Sequence, residues 1–124
     1  MASNPRAVVE ELFDRMADEE CRETVGELFA EDAVIQFPGE RFEGADAAEE
    51  MLTWLDAQYE WARKEFDRWI VTGSDVVCLG TLYGIDSGGQ SFEDVRYVDV
   101  YEVVDARIER MDIYNDLALG GIAE

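Results

Sequence analysis

The stretch from Asp94 to Val104 commits itself to a β-strand, because its side chains sort cleanly at a period of two. Val95, Tyr97, Asp99, Tyr101 and Val103 fall on one face; Asp94, Arg96, Val98, Val100, Glu102 and Val104 fall on the other. The strand is tied backward to Asp75–Tyr83 through Asp86-Ser87-Gly88-Gly89, a strong hairpin signal. It is tied forward through a tight Asp105-Ala106 turn to a last strand from Arg107 to about Asn115. With a further extended segment from about Glu65 to Thr72, the C-terminal half reads as an antiparallel meander. Such a sheet must bury one face against something else.

The N-terminal half supplies that cover. Asn4-Pro5 is a cap and first-turn pair, after which Val8, Val9, Leu12, Phe13 and Met16 recur at helical spacing. Cys21, Val25, Leu28 and Phe29 fit a short second helix, with Gly26 weakening it, and Ala33–Phe37 fits a first strand ended by Pro38-Gly39. From Gly44 to about Lys64 the residues Ala48, Leu52, Leu55, Tyr59 and Ala62 keep a helical period, and Asp46 with Glu49 is placed as a capping box. The order is helix, helix, strand, long helix, then meander. The expected fold is α+β, with residues 1–124 as one domain.

Charge narrows the function classes. Thirty Asp and Glu against ten Lys and Arg give a formal net charge of -20, and Lys64 is the one lysine. Nucleic acid would be repelled. Acidic excess spread along the chain, with lysine almost absent, is the composition of a protein kept soluble in concentrated salt, so a halophilic source is expected. Histidine is absent, which removes the usual general base, the usual zinc ligand and every Ser-His or Cys-His nucleophile pair. No metal site is expected, since adjacent acidic pairs such as Glu49-Glu50 do not share a face. No glycine-rich phosphate loop or dinucleotide fingerprint occurs, so no cofactor is implied. Apolar runs stay short of a membrane span, and Met1–Ala7 is polar and contains Pro5, so a cytoplasmic, reduced protein is expected, with Cys21 and Cys78 unpaired.

Several short motifs, in this order, resemble the nuclear transport factor two-like superfamily, which includes the ketosteroid isomerases and the SnoaL-like polyketide cyclases. They are Leu28-Phe29-Ala30-Glu31-Asp32-Ala33-Val34, Phe42-Glu43-Gly44, Asp99-Val100-Tyr101-Glu102-Val103, Arg107-Ile108 and Tyr114-Asn115-Asp116. The resemblance implies a cone-shaped, curved antiparallel sheet with three helices packed on its concave side. It says little about chemistry, because the fold hosts isomerases, cyclases, dehydratases, epoxide hydrolases and non-catalytic binding modules. Ketosteroid isomerases combine a tyrosine and a protonated aspartic acid with an aspartate base. By motif, the acid position falls on Asp99, the tyrosine position on Phe13 and the base position on Phe37. The catalytic Asp and Arg of limonene epoxide hydrolases fall on apolar residues or glycine here. SnoaL-like proteins fit the sequence best.

Asp99 is the one charge on its strand face, among two tyrosines and two valines. Either that face is solvated, as strand aspartates usually are, or the carboxyl is buried in a pocket as a proton donor or general acid/base with a raised pKa. No cation shares its strand face, so a protonated Asp99 is expected in a cavity walled by Tyr97, Tyr101, Phe37 and the long helix. Phe13, Phe37, Trp54, Tyr97, Tyr101, Met111 and Asn115 are the candidate ligand-lining residues. Plain core packing is the alternative for the apolar ones, and a strand-end turn is the alternative for Asn115. Cys78, with no histidine to activate it, reads as a small buried hydrophobe.

Two function classes follow. One is an isomerase, cyclase or lyase acting on a small apolar carbonyl compound through Asp99. The other is a non-catalytic ligand-binding or dimerisation module. Val76–Tyr83 is apolar on both faces, and Val98, Val100 and Val104 extend the patch opposite the pocket, so a homodimer through the sheet is expected.

Overall fold

A computed structural model describes residues 4–117. The leader expectation rests partly on residues 1–3, which lie outside that range. The first helix, α1 (Pro5–Ala17), opens as its sequence requires: Asn4 is extended, and its side-chain oxygen accepts from the Arg6 N–H at 3.0 Å. A 3-10 helix follows at Arg22–Leu28, then β1 (Phe29–Phe37), β2 (Glu40–Glu43), α2 (Ala47–Gln58), β3 (Tyr59–Thr72), β4 (Asp75–Asp86), β5 (Ser91–Val104) and β6 (Arg107–Asn115). Among the described residues, no helix is long and apolar enough to cross a membrane.

The six strands form one curved, open sheet in the order β2-β1-β6-β5-β4-β3. All pairings are antiparallel except β1 with β6, which run parallel and join the N-terminal hairpin to the meander. Of the meander's three turns, the two read from the sequence form as expected. Asp86 accepts from the Gly88 and Gln90 N–H groups at 2.9 Å each, and Asp105 and Ala106 both take positive φ, 52° and 66°, as a two-residue hairpin turn requires. The core joins Val8, Val9 and Leu12 of α1, and Ala47, Ala48 and Met51 of α2, to the inner face of the sheet.

Three local expectations are overturned. The long helix ends at Gln58, not near Lys64; residues 59–64 pair instead with Leu82–Asp86 of β4. Tyr59 and Ala62 fit a helical period only because a short run can satisfy two periods at once, and strand pairing decides between them. Asp46 makes no side-chain capping bond, because its φ of -101° and ψ of 10° are not the extended geometry a cap needs. Residues 40–43, unassigned from sequence, form β2 on β1, and β1 itself begins at Phe29.

Candidate functional site

Strand phase delivers Asp99 to the inner face as alternation demands. Tyr97, Asp99, Tyr101 and Val103 are buried, while Glu102 and Val104 are exposed. Asp94 breaks the phase: its φ is 56°, and the pairing slips between Leu82/Val95 and Gly84/Phe92. This bulge turns Phe92 inward as well. Across the sheet, Asp99 lies opposite Cys78 on β4 and Ile113 on β6, and Tyr101 lies opposite Val76 and Met111.

The cation that alternation along β5 does not supply comes from two strands away. Lys64 Nζ on the edge strand β3 pairs with Asp99 Oδ2, passing over β4. Two features allow this reach. The register of β3 shifts between Phe66 and Arg68, and Gly80 carries no side chain on the inner face. A Cβ at Gly80 would overlap the Glu65 carbonyl oxygen and press to 3.1 Å from the Tyr97 ring. Only glycine lets β3 curl in this closely and swing Lys64 over the site.

Around the carboxyl, the Tyr101 hydroxyl donates to Oδ2 at 3.1 Å, and the Cys78 sulfur lies 4.0 Å from the same oxygen. Asp99 Oδ1 and the Tyr97 hydroxyl are buried without a hydrogen-bond partner among the described residues. The Tyr97 hydroxyl neighbours the Cys78 thiol, but not in hydrogen-bonding geometry. Lys64 Nζ also sits 4.6 Å from the centre of the Phe13 ring and 4.8 Å from that of Tyr97, so its charge faces two aromatic surfaces. Phe13 in turn meets Tyr101 edge-on at 6.0 Å.

Burial raises the Asp99 pKa above the ordinary carboxylate range, and Lys64 and Tyr101 only partly offset it. The expected direction therefore stands; β5 itself carries no cation on the Asp99 face, and Lys64 reaches the carboxyl from β3. Burial, reinforced by the Asp99 charge, pushes the Cys78 thiol up to about 12, so it is held as an unreactive thiol. Burial likewise raises the Tyr97 and Tyr101 hydroxyls well above the ordinary tyrosine range, which keeps both as neutral donors.

The candidate residues divide into two groups. Phe13, Tyr97 and Tyr101 gather around Asp99, with Met111 opposite Tyr101. Phe37 and Trp54 form a separate aromatic cluster with Phe42, at centroid distances of 5.0 to 6.5 Å. Asn115 lies opposite Tyr97, but its Oδ1 accepts from the Leu117 N–H at 3.2 Å, closing the strand end. Two open clefts occur among the described residues, and Lys64 lines neither. One, of about 710 Å³, opens on the outer face of the sheet against Leu79, Val98 and Tyr114; the other, of about 470 Å³, includes Arg6, Phe13, Phe66 and Trp69. Asp99 lines neither of these two clefts and is fully buried on the inner face. Lys64 was the residue missed. The available signal was its being the only lysine of an acidic, arginine-using chain.

The fold has close counterparts. An NTF2-like protein of unknown function from Burkholderia pseudomallei K96243 superposes with a TM-score of 0.84 at 20% identity, covering 95% of each chain. A SnoaL-like polyketide cyclase candidate from Jannaschia sp. CCS1 gives 0.82 at 22% identity, over 96% of this chain and 90% of that one. TerC, crystallised with polyporic acid, gives 0.77 at 16% identity, over 96% and 98%. At these identities the likeness is one of fold. No protein of curated function matches the sequence significantly. The sequence model of the SnoaL-like domain matches residues 9–111, and the chain therefore belongs to the SnoaL-like domain family.

Proposed function

We propose that this SnoaL-like domain is a small-molecule pocket protein of the isomerase, cyclase or lyase kind, acting on a largely apolar carbonyl compound with Asp99 as proton donor or general acid/base. One observation carries the reading: a fully buried carboxyl has one oxygen held by Lys64 and Tyr101 and the other oxygen unpartnered. A carboxyl with a raised pKa and a free oxygen can donate a proton or hydrogen bond to a carbonyl oxygen as charge develops there. Phe13, Tyr97, Tyr101 and Met111 form the apolar wall around it. The TerC complex agrees in kind, since a protein of this fold was crystallised with polyporic acid. Turnover across a panel of cyclic ketones and β-dicarbonyls, lost in Asp99→Asn, tests the reading; unchanged turnover in that variant overturns it.

The non-catalytic binding module is the second reading, favoured by one specific placement. Phe37, at the family's base position, packs 5.0 Å from Trp54 and offers no proton acceptor. Binding of carbonyl ligands without turnover would select this reading.

The site's partner is then a small apolar ligand, and the chain pairs with a second copy through the outer face of its sheet. There Val77, Leu79, Val98 and Val100 are only half-buried, and Val104 and Tyr114 are exposed, Tyr114 by 59%.

A further inference from the structure

Proton transfer by Asp99 leaves the Lys64 ammonium without a task. An edge-strand lysine in a chain of net charge -20 has abundant carboxylates to pair with in water. Lys64 instead turns inward, is 21% exposed, and lies against the rings of Phe13 and Tyr97. Drawing an ammonium out of water is costly unless its bonds are well satisfied, and a single carboxylate oxygen uses only part of its three-donor capacity.

Two buried polar atoms near it share that lack. Asp99 Oδ1 and the Tyr97 hydroxyl have no partner among the described residues, and each such atom costs about 1–3 kcal/mol when left unbonded. The ammonium and the hydroxyl are donors. Oδ1 becomes a donor once the carboxyl is protonated. The titratable groups facing Asp99 are Lys64 from β3, Cys78 from β4, and Tyr97 and Tyr101 from β5; Ile113 from β6 is apolar, as is Phe13, which α1 packs against Tyr101 and Lys64. Among these groups Lys64 is the one cation. A constellation of one cation and two neutral donors is suited to an oxygen that bears negative charge, because charge-assisted hydrogen bonds are about twice as strong as neutral ones.

The geometry points to Lys64 as the counter-ion of an anionic ligand oxygen, so that the pocket selects carbonyl compounds carrying an ionised enol over neutral ketones of the same shape. This rests on the pocket reading above and narrows its substrate class. On binding, Lys64 Nζ transfers its ion pair from Asp99 Oδ2 to the ligand oxygen, and the Asp99 carboxylate, no longer neutralised by the ammonium, takes up one proton from solvent. The way in is from the cleft beside α1, since Phe13 lines it and Nζ lies over the Phe13 ring.

The matched probes are 4-hydroxycoumarin, an enol ionised at neutral pH, and coumarin, its neutral analogue, titrated against the full chain by calorimetry at pH 7.5 in constant KCl. The expected result is at least tenfold tighter binding of 4-hydroxycoumarin. That preference falls to about twofold or less in Lys64→Met and survives in Lys64→Arg. Should Lys64→Met not fold, the wild-type preference and its survival in Lys64→Arg still decide. Equal binding of the two probes by wild type, or a preference that persists in folded Lys64→Met, overturns the inference and leaves the pocket reading intact. Binding of neither probe overturns both.

Discussion

Lys64 and Asp99, separated by 35 positions in sequence and by one intervening strand, form the ion pair at the centre of the inner face. The pair couples the edge of the sheet to its middle. Its strength depends on burial, because the carboxyl is fully enclosed while the lysine keeps limited access to solvent.

Lys64→Met is expected to destabilise the fold by roughly 3 kcal/mol near pH 8, since it strands a buried carboxylate without its cation. The loss should shrink near pH 4, where Asp99 accepts a proton and no longer needs the cation. Urea melts at the two pH values, at one fixed salt concentration, measure the difference. Equal losses at both would mean that the lysine acts only by packing its stem.

Asp99 is expected to titrate above the ordinary carboxylate range of about 4. With the folded-state pKa raised, the native protein holds a proton that the unfolded chain has released. The group's contribution to stability is therefore full below the unfolded value and declines as pH rises through the folded value. Carbon-detected NMR reads the titration directly, and Asp99→Asn should flatten this component of the stability profile. Ionisation at an ordinary pKa would remove the acid role.

Gly80→Ala should cost about 2 kcal/mol or more, because its Cβ would overlap the backbone carbonyl of Glu65, which cannot give way as a side-chain tip could. Gly26→Ala is the control. Nothing lies within 4 Å of the position its Cβ would take, so a change within about 0.5 kcal/mol is expected. Thermal melts of both variants compare them, and Gly80→Ala should also weaken carbonyl-ligand binding by displacing Lys64.

The melting midpoint should rise between dilute buffer and molar KCl. Thirty acidic side chains repel one another, and the screening length falls to about 3 Å at 1 M salt. A flat salt response would separate this composition from halophilic adaptation.

Light scattering in high salt should give the mass of two chains, and Val98→Arg on the outer face should give the mass of one. A monomer mass for the unsubstituted protein at micromolar concentration would dispose of the dimer.

Much of the fold and part of the site were legible because they rest on short-range rules. Alternation put Tyr97, Asp99, Tyr101 and Val103 on one buried face, the Asn4-Pro5 pair started α1, and Asp86–Gly89 and Asp105-Ala106 turned the meander. Each of these depends only on the geometry of a few consecutive residues. Tertiary structure decided the rest. Residues 59–64 follow a helical period as readily as an extended one, and pairing with β4 made them strand. Lys64 was thereby moved from the end of a helix to the inner face of the sheet, within reach of Asp99. The parallel pairing of β1 with β6, and the separation of Phe37 and Trp54 from the residues around Asp99, also depend on contacts between distant segments. Sequence alone placed the acid; the register shift in β3 and the bare Gly80 brought the cation to it, and such long-range geometry leaves no local pattern to read.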